Sequence, residues 1–357
     1  MVISKPTCYL HVGLHKTGTS TIQGFLSEHH SELETYNFLY PTFYITQNKR
    51  LKKKLITAHH RLFRSFVNKE KFLTLEEAKV SINEYQKICL KKNQSLILSA
   101  ENISGFVKQN LRFNNKSFLS ILNFYLKDFR IIPVISFRNH INYYLSFYSE
   151  RIRNTWGDSS IKISFIEFLM NQSKKIPYFF SDIYRELQSI SFEKKIIPLT
   201  FENSLKKGLT DSFLKSINCS FREEIENKNL RPSLSIISIE LKRYISDRIN
   251  SIDNNKKISK FLLSSQYKEI EKQFLLNNLE MHFNSKLDLM IYVQNEGIIT
   301  NQVIDIFNKD IDKLFMISGL KLNHINYMKE TTLMKKLLRK DLNIFFEKVY
   351  NEYLLLL

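Results

Sequence analysis

The chain has 357 residues, 43% of them apolar, enough for one large domain or two small ones with a sizeable core. Its 53 Lys and Arg against 35 Asp and Glu leave a formal charge of +18, which predicts anionic partners such as a small phosphate compound, an acidic glycan or a membrane surface. Abundant Lys, Asn and Ile together are equally what an AT-rich genome produces. Cys8, Cys89 and Cys219 are odd in number and far apart, which excludes a disulfide framework and suggests a reducing compartment. No run reaches the ~18 apolar residues of a membrane span and no long apolar leader precedes Gly13, so the expectation is a soluble, cytoplasmic protein.

The first element is the apolar run Cys8 to Val12, which reads as a buried strand. A loop with Gly13 and Gly18 follows, then a helical pattern of Ile22, Phe25 and Leu26. Strand, glycine loop and helix direct backbone N–H groups and a helix N-terminus toward an anionic oxygen cluster. Lys16 adds a point charge; Thr17, Thr19, Ser20 and Thr21 add hydroxyl donors. The loop is not a Walker A motif. That motif puts lysine directly after the second glycine, where this chain has Thr19. Nor does a later strand end in an aspartate suited to Mg²⁺, since Ser95 to Ala100 runs into Glu101. The loop argues for a metal-free reaction.

Residues 42–70 read as a basic helical insertion carrying His59 and His60, and residues 75–92 and 116–128 as helices. Further buried strands are expected at Ser95 to Ala100, Arg130 to Phe137 and Lys195 to Thr200. Strands alternating with helices imply a parallel α/β sheet flanked by helices, with ligands at its carboxyl edge. Gly13, Glu101 and Arg138 each follow a strand end there. Asn139 is a plausible N-cap for a helix through Arg153, which places Ser146 about two turns in. Beyond about residue 210 helical periodicity dominates, with an exposed loop expected at 253–260 and an amphipathic helix over 333–357. The organisation expected is an α/β core, 1–205, and a helical part, 206–357, packed on it.

The pattern Lys16-Thr17-Gly18-Thr19-Ser20 resembles the 5′-phosphosulfate loop of sulfotransferases that use 3′-phosphoadenosine 5′-phosphosulfate (PAPS). Its extension, from His11-x-Gly13-x-His15 to Gln23, is similar to a bacterial carbohydrate-sulfotransferase branch. The resemblance implies a P-loop-like fold and transfer of a sulfuryl group to a hydroxyl of a glycan or glycolipid, leaving adenosine 3′,5′-bisphosphate. It assigns the 5′ side of the cofactor to residues 15–21 and its 3′-phosphate to Arg138 and Ser146, which match the family's Arg-x₇-Ser spacing. Arginine suits that task because its planar fork meets phosphate bidentately. Lys16 is expected to neutralise the leaving group, and Glu101, in a Ser-x-Glu segment, to act as base, with His59 and His60 as competitors. Asn229 to Ser235 resembles a family Asn-x-Ser-Leu-Ser segment with one extra residue, making Arg231 and Ser233 candidate cofactor contacts. Peripheral membrane contact through the basic surface or the terminal helix is a further expectation. Against this stand an atypical phosphate-loop kinase or nucleotidase, which the displaced lysine disfavours, and a basic nucleic-acid binder, for which no module is recognisable. A degenerate scaffold is disfavoured because Lys16, Arg138 and Ser146 are intact.

Overall fold

Five parallel strands in the order β2-β3-β1-β6-β7 carry the glycine loop at their carboxyl edge. They are β1 (Thr7–His11), β2 (Phe38–Leu39), β3 (Ser95–Ser99), β6 (Arg130–Phe137) and β7 (Ile197–Thr200); β4 (Arg112–Phe113) and β5 (Lys116–Ser117) form a separate antiparallel pair. The computed structural model describes residues 4–46, 56–108, 112–113, 116–154, 163–165, 167–169, 180–221, 235–248, 252–278, 301–322 and 344–351. β1 is central, with Cys8 opposite Leu96 of β3 and Ile131 of β6. The chain visits β2 and β3 on one side of β1, then β6 and β7 on the other, so its direction of winding reverses beside the β1 loop. Such a reversal is where open parallel sheets hold ligands. Every residue of β6 after Arg130 is buried, as expected of a strand covered on both faces.

In the first unit, α1 (Thr19–Glu28) and α2 (His30–Thr35) follow β1, α3 (His60–Ser65) and α4 (Leu75–Lys92) precede β3, and α5 (Asn102–Lys108) and α6 (Phe118–Tyr125) lie between β3 and β6. α4 shows why these residues are helical. Thr74 and Glu77 form a reciprocal capping box, Asn93 ends the helix at φ 53, and Ala78, Ser81, Ile82, Tyr85 and Cys89 make one buried stripe. One core cluster joins Ile22 and Leu26 of α1 to Ile97 of β3, Val134 of β6, and Phe213 and Leu214. All three cysteines are buried free thiols.

The two compact units are interleaved in sequence rather than divided once near residue 205: the first comprises residues 1–138, 178–230 and 310–323, the second the rest. The second unit contains α7 (His140–Asn154), and the first contains α8 (Phe180–Gln188), α9 (Phe201–Lys207) and α10 (Leu209–Ser216). The second also holds α11 (Ile236–Arg248), α12 (Ile252–Leu262) and α13 (Ser265–Asn278), whereas α14 (Asn301–Ser318) contributes to both. Within the second unit, buried Lys242 bonds the end carbonyls of α7, Ile152 at 2.7 Å and Arg153 at 2.9 Å, which satisfies groups every helix end leaves open.

Three expectations are corrected. Residues 253–260 lie inside α12 instead of a loop, because Ile258 and Leu262, one turn apart, are both buried and draw the polar run into a helix. The 42–70 insertion is helical only at α3, with 41–46 irregular and 47–55 outside the described residues. β2 was not expected at all; two residues carry no periodicity, and only pairing with Ser95 and Leu96 makes them a strand. Of the terminal segment, residues 344–351 are helical, with Phe345, Phe346 and Val349 buried. Among the described residues no helix is long and apolar enough to cross a membrane.

Candidate active site

The Val12 N–H donates to the Val134 carbonyl at 3.0 Å, and the chain then leaves the sheet as the 13–18 loop. Gly13 and Gly18 have φ of +32° and +80°, left-handed values that glycine adopts at little cost. Space is tight at both as well. A Cβ on Gly13 would lie 2.3 Å from Thr19 Cγ2, and one on Gly18 would lie 2.5 Å from Leu209 Cδ1 of α10. Lys16 is itself left-handed at φ +67°, a strained conformation for a side-chain-bearing residue. Arg138 Nη1 donates to the Lys16 carbonyl at 3.1 Å and helps hold it there. The Thr17 hydroxyl turns inward to the Leu14 carbonyl at 2.7 Å and braces the loop. α1 starts at Thr19 with Gly18 as N-cap, no capping side chain and no acidic residue in the first turn. The positive end of the helix is therefore left at the loop, where Ser20 and Thr21 are half-buried.

Glu101 arrives from the next strand. Its carboxylate accepts the Thr19 hydroxyl and approaches His15 Nδ1 at 3.5 Å. Burial pushes the Glu101 carboxyl upward, but the bonds from His15 and Thr19 and the nearby His15 and His60 outweigh it, leaving the pKa at about 2. His60 Nδ1 lies 3.1 Å from Asn102 Oδ1, while Asn102 Nδ2 donates to the His60 carbonyl at 3.3 Å. That pairing puts the proton on Nδ1 and leaves Nε2 as the acceptor. Burial lowers the His60 pKa, against the Asn102 bond and the Glu101 charge, so the ring is neutral at pH 7. Arg138 also lays its guanidinium over the Phe201 ring, 4.6 Å from the centroid.

His59 is corrected from a candidate base to a brace. The ring is fully buried, Nε2 donates to the Pro41 carbonyl at 2.9 Å, and Nδ1 accepts from the Ser99 N–H at 3.1 Å. Neither nitrogen is left for chemistry. Burial lowers both His59 and His11 to about 4. A depressed histidine stabilises the fold above its unfolded value of 6.5, and the contribution is lost as pH falls toward 4. Each shift is worth about 3 kcal/mol by linkage. Urea midpoints should therefore drop steeply between pH 6.5 and 4.5, and a flat profile across that window would contradict neutral burial of these rings.

Of the residues singled out from sequence, Gly13 to Thr21, Glu101, His60 and Arg138 gather in the first unit. Ser146 is half-buried on α7 in the second unit, and Arg231 and Ser233 lie outside the described residues. His11, Gln23, Ser99, Asn102 and Phe201 had been given no role. His11 and Gln23 are legible as parts of the extended pattern and Ser99 as the first residue of the Ser-x-Glu segment; Asn102 and Phe201 carry no local signal.

No protein-family model matches the chain, and no curated protein does. Among solved structures, a sulfotransferase from Alicyclobacillus acidocaldarius matches 90% of this chain and 98% of its own, at 11% identity and a TM-score of 0.42. A likeness at that level carries no weight for fold or activity.

Proposed function

We propose that the chain is a sulfotransferase that takes a sulfuryl group from PAPS to a hydroxyl of a glycan or glycolipid. The observation that carries the reading is the loop itself: an uncapped helix N-terminus, two left-handed glycines where a Cβ would crowd Thr19 and Leu209, and Lys16 held by Arg138, with a largely covered carboxylate two residues beyond the neighbouring strand. A phosphosulfate fits such a cradle, since its oxygens match backbone N–H groups, hydroxyls and one ammonium. PAPS supplies an activated sulfuryl group, whose bond to the 5′-phosphate oxygen breaks as the acceptor oxygen bonds to sulfur.

The chain's residues divide the remaining work. The loop N–H groups with Ser20 and Thr21 hold the 5′ side, and Lys16 neutralises charge on the departing phosphate oxygen. Arg138 takes the 3′-phosphate. Glu101 takes the acceptor hydroxyl's proton. An acceptor that displaces His15 removes the contact that keeps the carboxyl acidic, and burial then raises its basicity. A second reading makes His60 Nε2 the base, favoured by its neutral ring and fixed tautomer. For the acceptor, a cleft of about 790 Å³ beside β7 offers Lys207, Lys321, Asn203 and Ser212 with a Lys215–Asp211 ion pair, a polar lining suited to a saccharide. Leu209, at the start of the same α10, packs on Gly18.

Calorimetry with adenosine 3′,5′-bisphosphate tests the reading. Binding in the micromolar range without Mg²⁺, weakened about tenfold or more by Arg138→Ala, is the expected result, because a bidentate charged pair of this kind is worth roughly 1.5–3 kcal/mol. No heat of binding, or turnover of ATP that needs Mg²⁺, would reject it.

A further inference from the structure

His11 sits beneath the loop with a polar atom that nothing in the fold uses. It is 1% exposed, its Nδ1 lies 2.8 Å from Ser99 Oγ, and its ring packs at a tilt against Phe213, 4.9 Å between centroids. Nε2 is buried and has no hydrogen-bond partner among the described residues. Leaving a buried imidazole nitrogen unpaired costs stability, so a partner that arrives later is the economical explanation.

The surrounding bonds favour one tautomer of the ring. Gln23 Nε2 donates to Ser99 Oγ at 3.1 Å. Gln23 occupies one acceptor site of the Ser99 hydroxyl, and the acceptor within reach of the hydroxyl's own hydrogen among the described residues is His11 Nδ1. Nδ1 is then the acceptor, and the proton of the neutral ring lies on Nε2. Nε2 also lies against the first residue of the loop, 3.5 Å from where a Cβ on Gly13 would stand.

We propose that His11 Nε2–H is a hydrogen-bond donor to an oxygen of the anion held in the 13–18 loop, oriented by the Gln23–Ser99–His11 chain. This rests on the reading of the loop as the 5′-phosphosulfate site and adds a donor from below the loop to those on it. The three members come from β1, α1 and β3, so the strands themselves set the donor's position. A neutral donor there also keeps its hydrogen at any pH above the ring's depressed range, whereas a cation would have to be desolvated.

The test compares two nucleotides. Calorimetry is run with adenosine 3′,5′-bisphosphate and with adenosine 3′-monophosphate, which lacks the 5′ group, on wild type, His11→Phe and His11→Gln, each checked by thermal melting. His11→Phe should weaken the bisphosphate about tenfold and leave the monophosphate within twofold, because one hydrogen bond to a charged group is worth roughly 1.5–3 kcal/mol. His11→Gln, whose amide nitrogen reaches the place of Nε2, should recover most of the loss. Imidazole ¹⁵N spectra of the free protein should show the Nε2–H tautomer, with that proton moving downfield when the bisphosphate binds. Equal losses for both nucleotides, no loss in His11→Phe, or an Nδ1–H tautomer would overturn the proposal while leaving the cofactor reading intact. A wild type that binds neither nucleotide would reject that reading as well.

Discussion

Glu101→Gln should lower the turnover number for sulfuryl transfer by about 10²–10⁴-fold, the range for loss of a positioned proton acceptor, while affinity for adenosine 3′,5′-bisphosphate changes only a few-fold. The substitution preserves shape and the bond from the Thr19 hydroxyl, so the loop is not expected to collapse. The pH profile separates the two candidate bases. With the Glu101 carboxyl at about 2 in the free protein, kcat/KM set by Glu101 stays level down to well below pH 6. If His60 is the base, kcat/KM falls with acid through its burial-depressed pKa, and His60→Gln, not Glu101→Gln, removes the activity. An active Glu101→Gln enzyme would therefore transfer the role to His60.

Lys16→Met should reduce kcat/KM by about 10²–10³-fold, the cost of removing one preorganised group that meets developing charge. Methionine keeps most of the side-chain stem and loses the ammonium. The left-handed backbone at residue 16 is equally strained in both proteins, so melting temperatures should agree within a few degrees. A partner variant, Lys16→Gly, relieves that strain and should be no less stable, yet equally inactive. If activity survives in either, charge at this position is not what drives the leaving group away.

The sequence is most legible where chemistry and period lie close together. The run from Cys8 to Gln23 contains a strand, its glycines, its lysine and the helix start, each with a local signature, and the four long strands were recognisable as apolar runs bounded by breakers. Glu101 and Arg138 were legible because they directly follow such strands. The two-residue β2 and the helix over 252–262 were not, since pairing and burial create them against weak or contrary local preference.

Residue types alone proposed acid, base and anion donors, but only long-range contacts assigned the atoms. His59 and His60 are neighbours in sequence and equal as candidates there. In the fold, the backbone of residues 41 and 99 consumes both nitrogens of His59, while Asn102 turns His60 into an acceptor. Ser99 illustrates the same division, since its hydroxyl gathers Gln23 and His11 from 76 and 88 residues away. A motif states which groups are available. Hydrogen bonds between distant strands decide which nitrogen carries the proton and where it points, because that depends on partners no local stretch of chain contains.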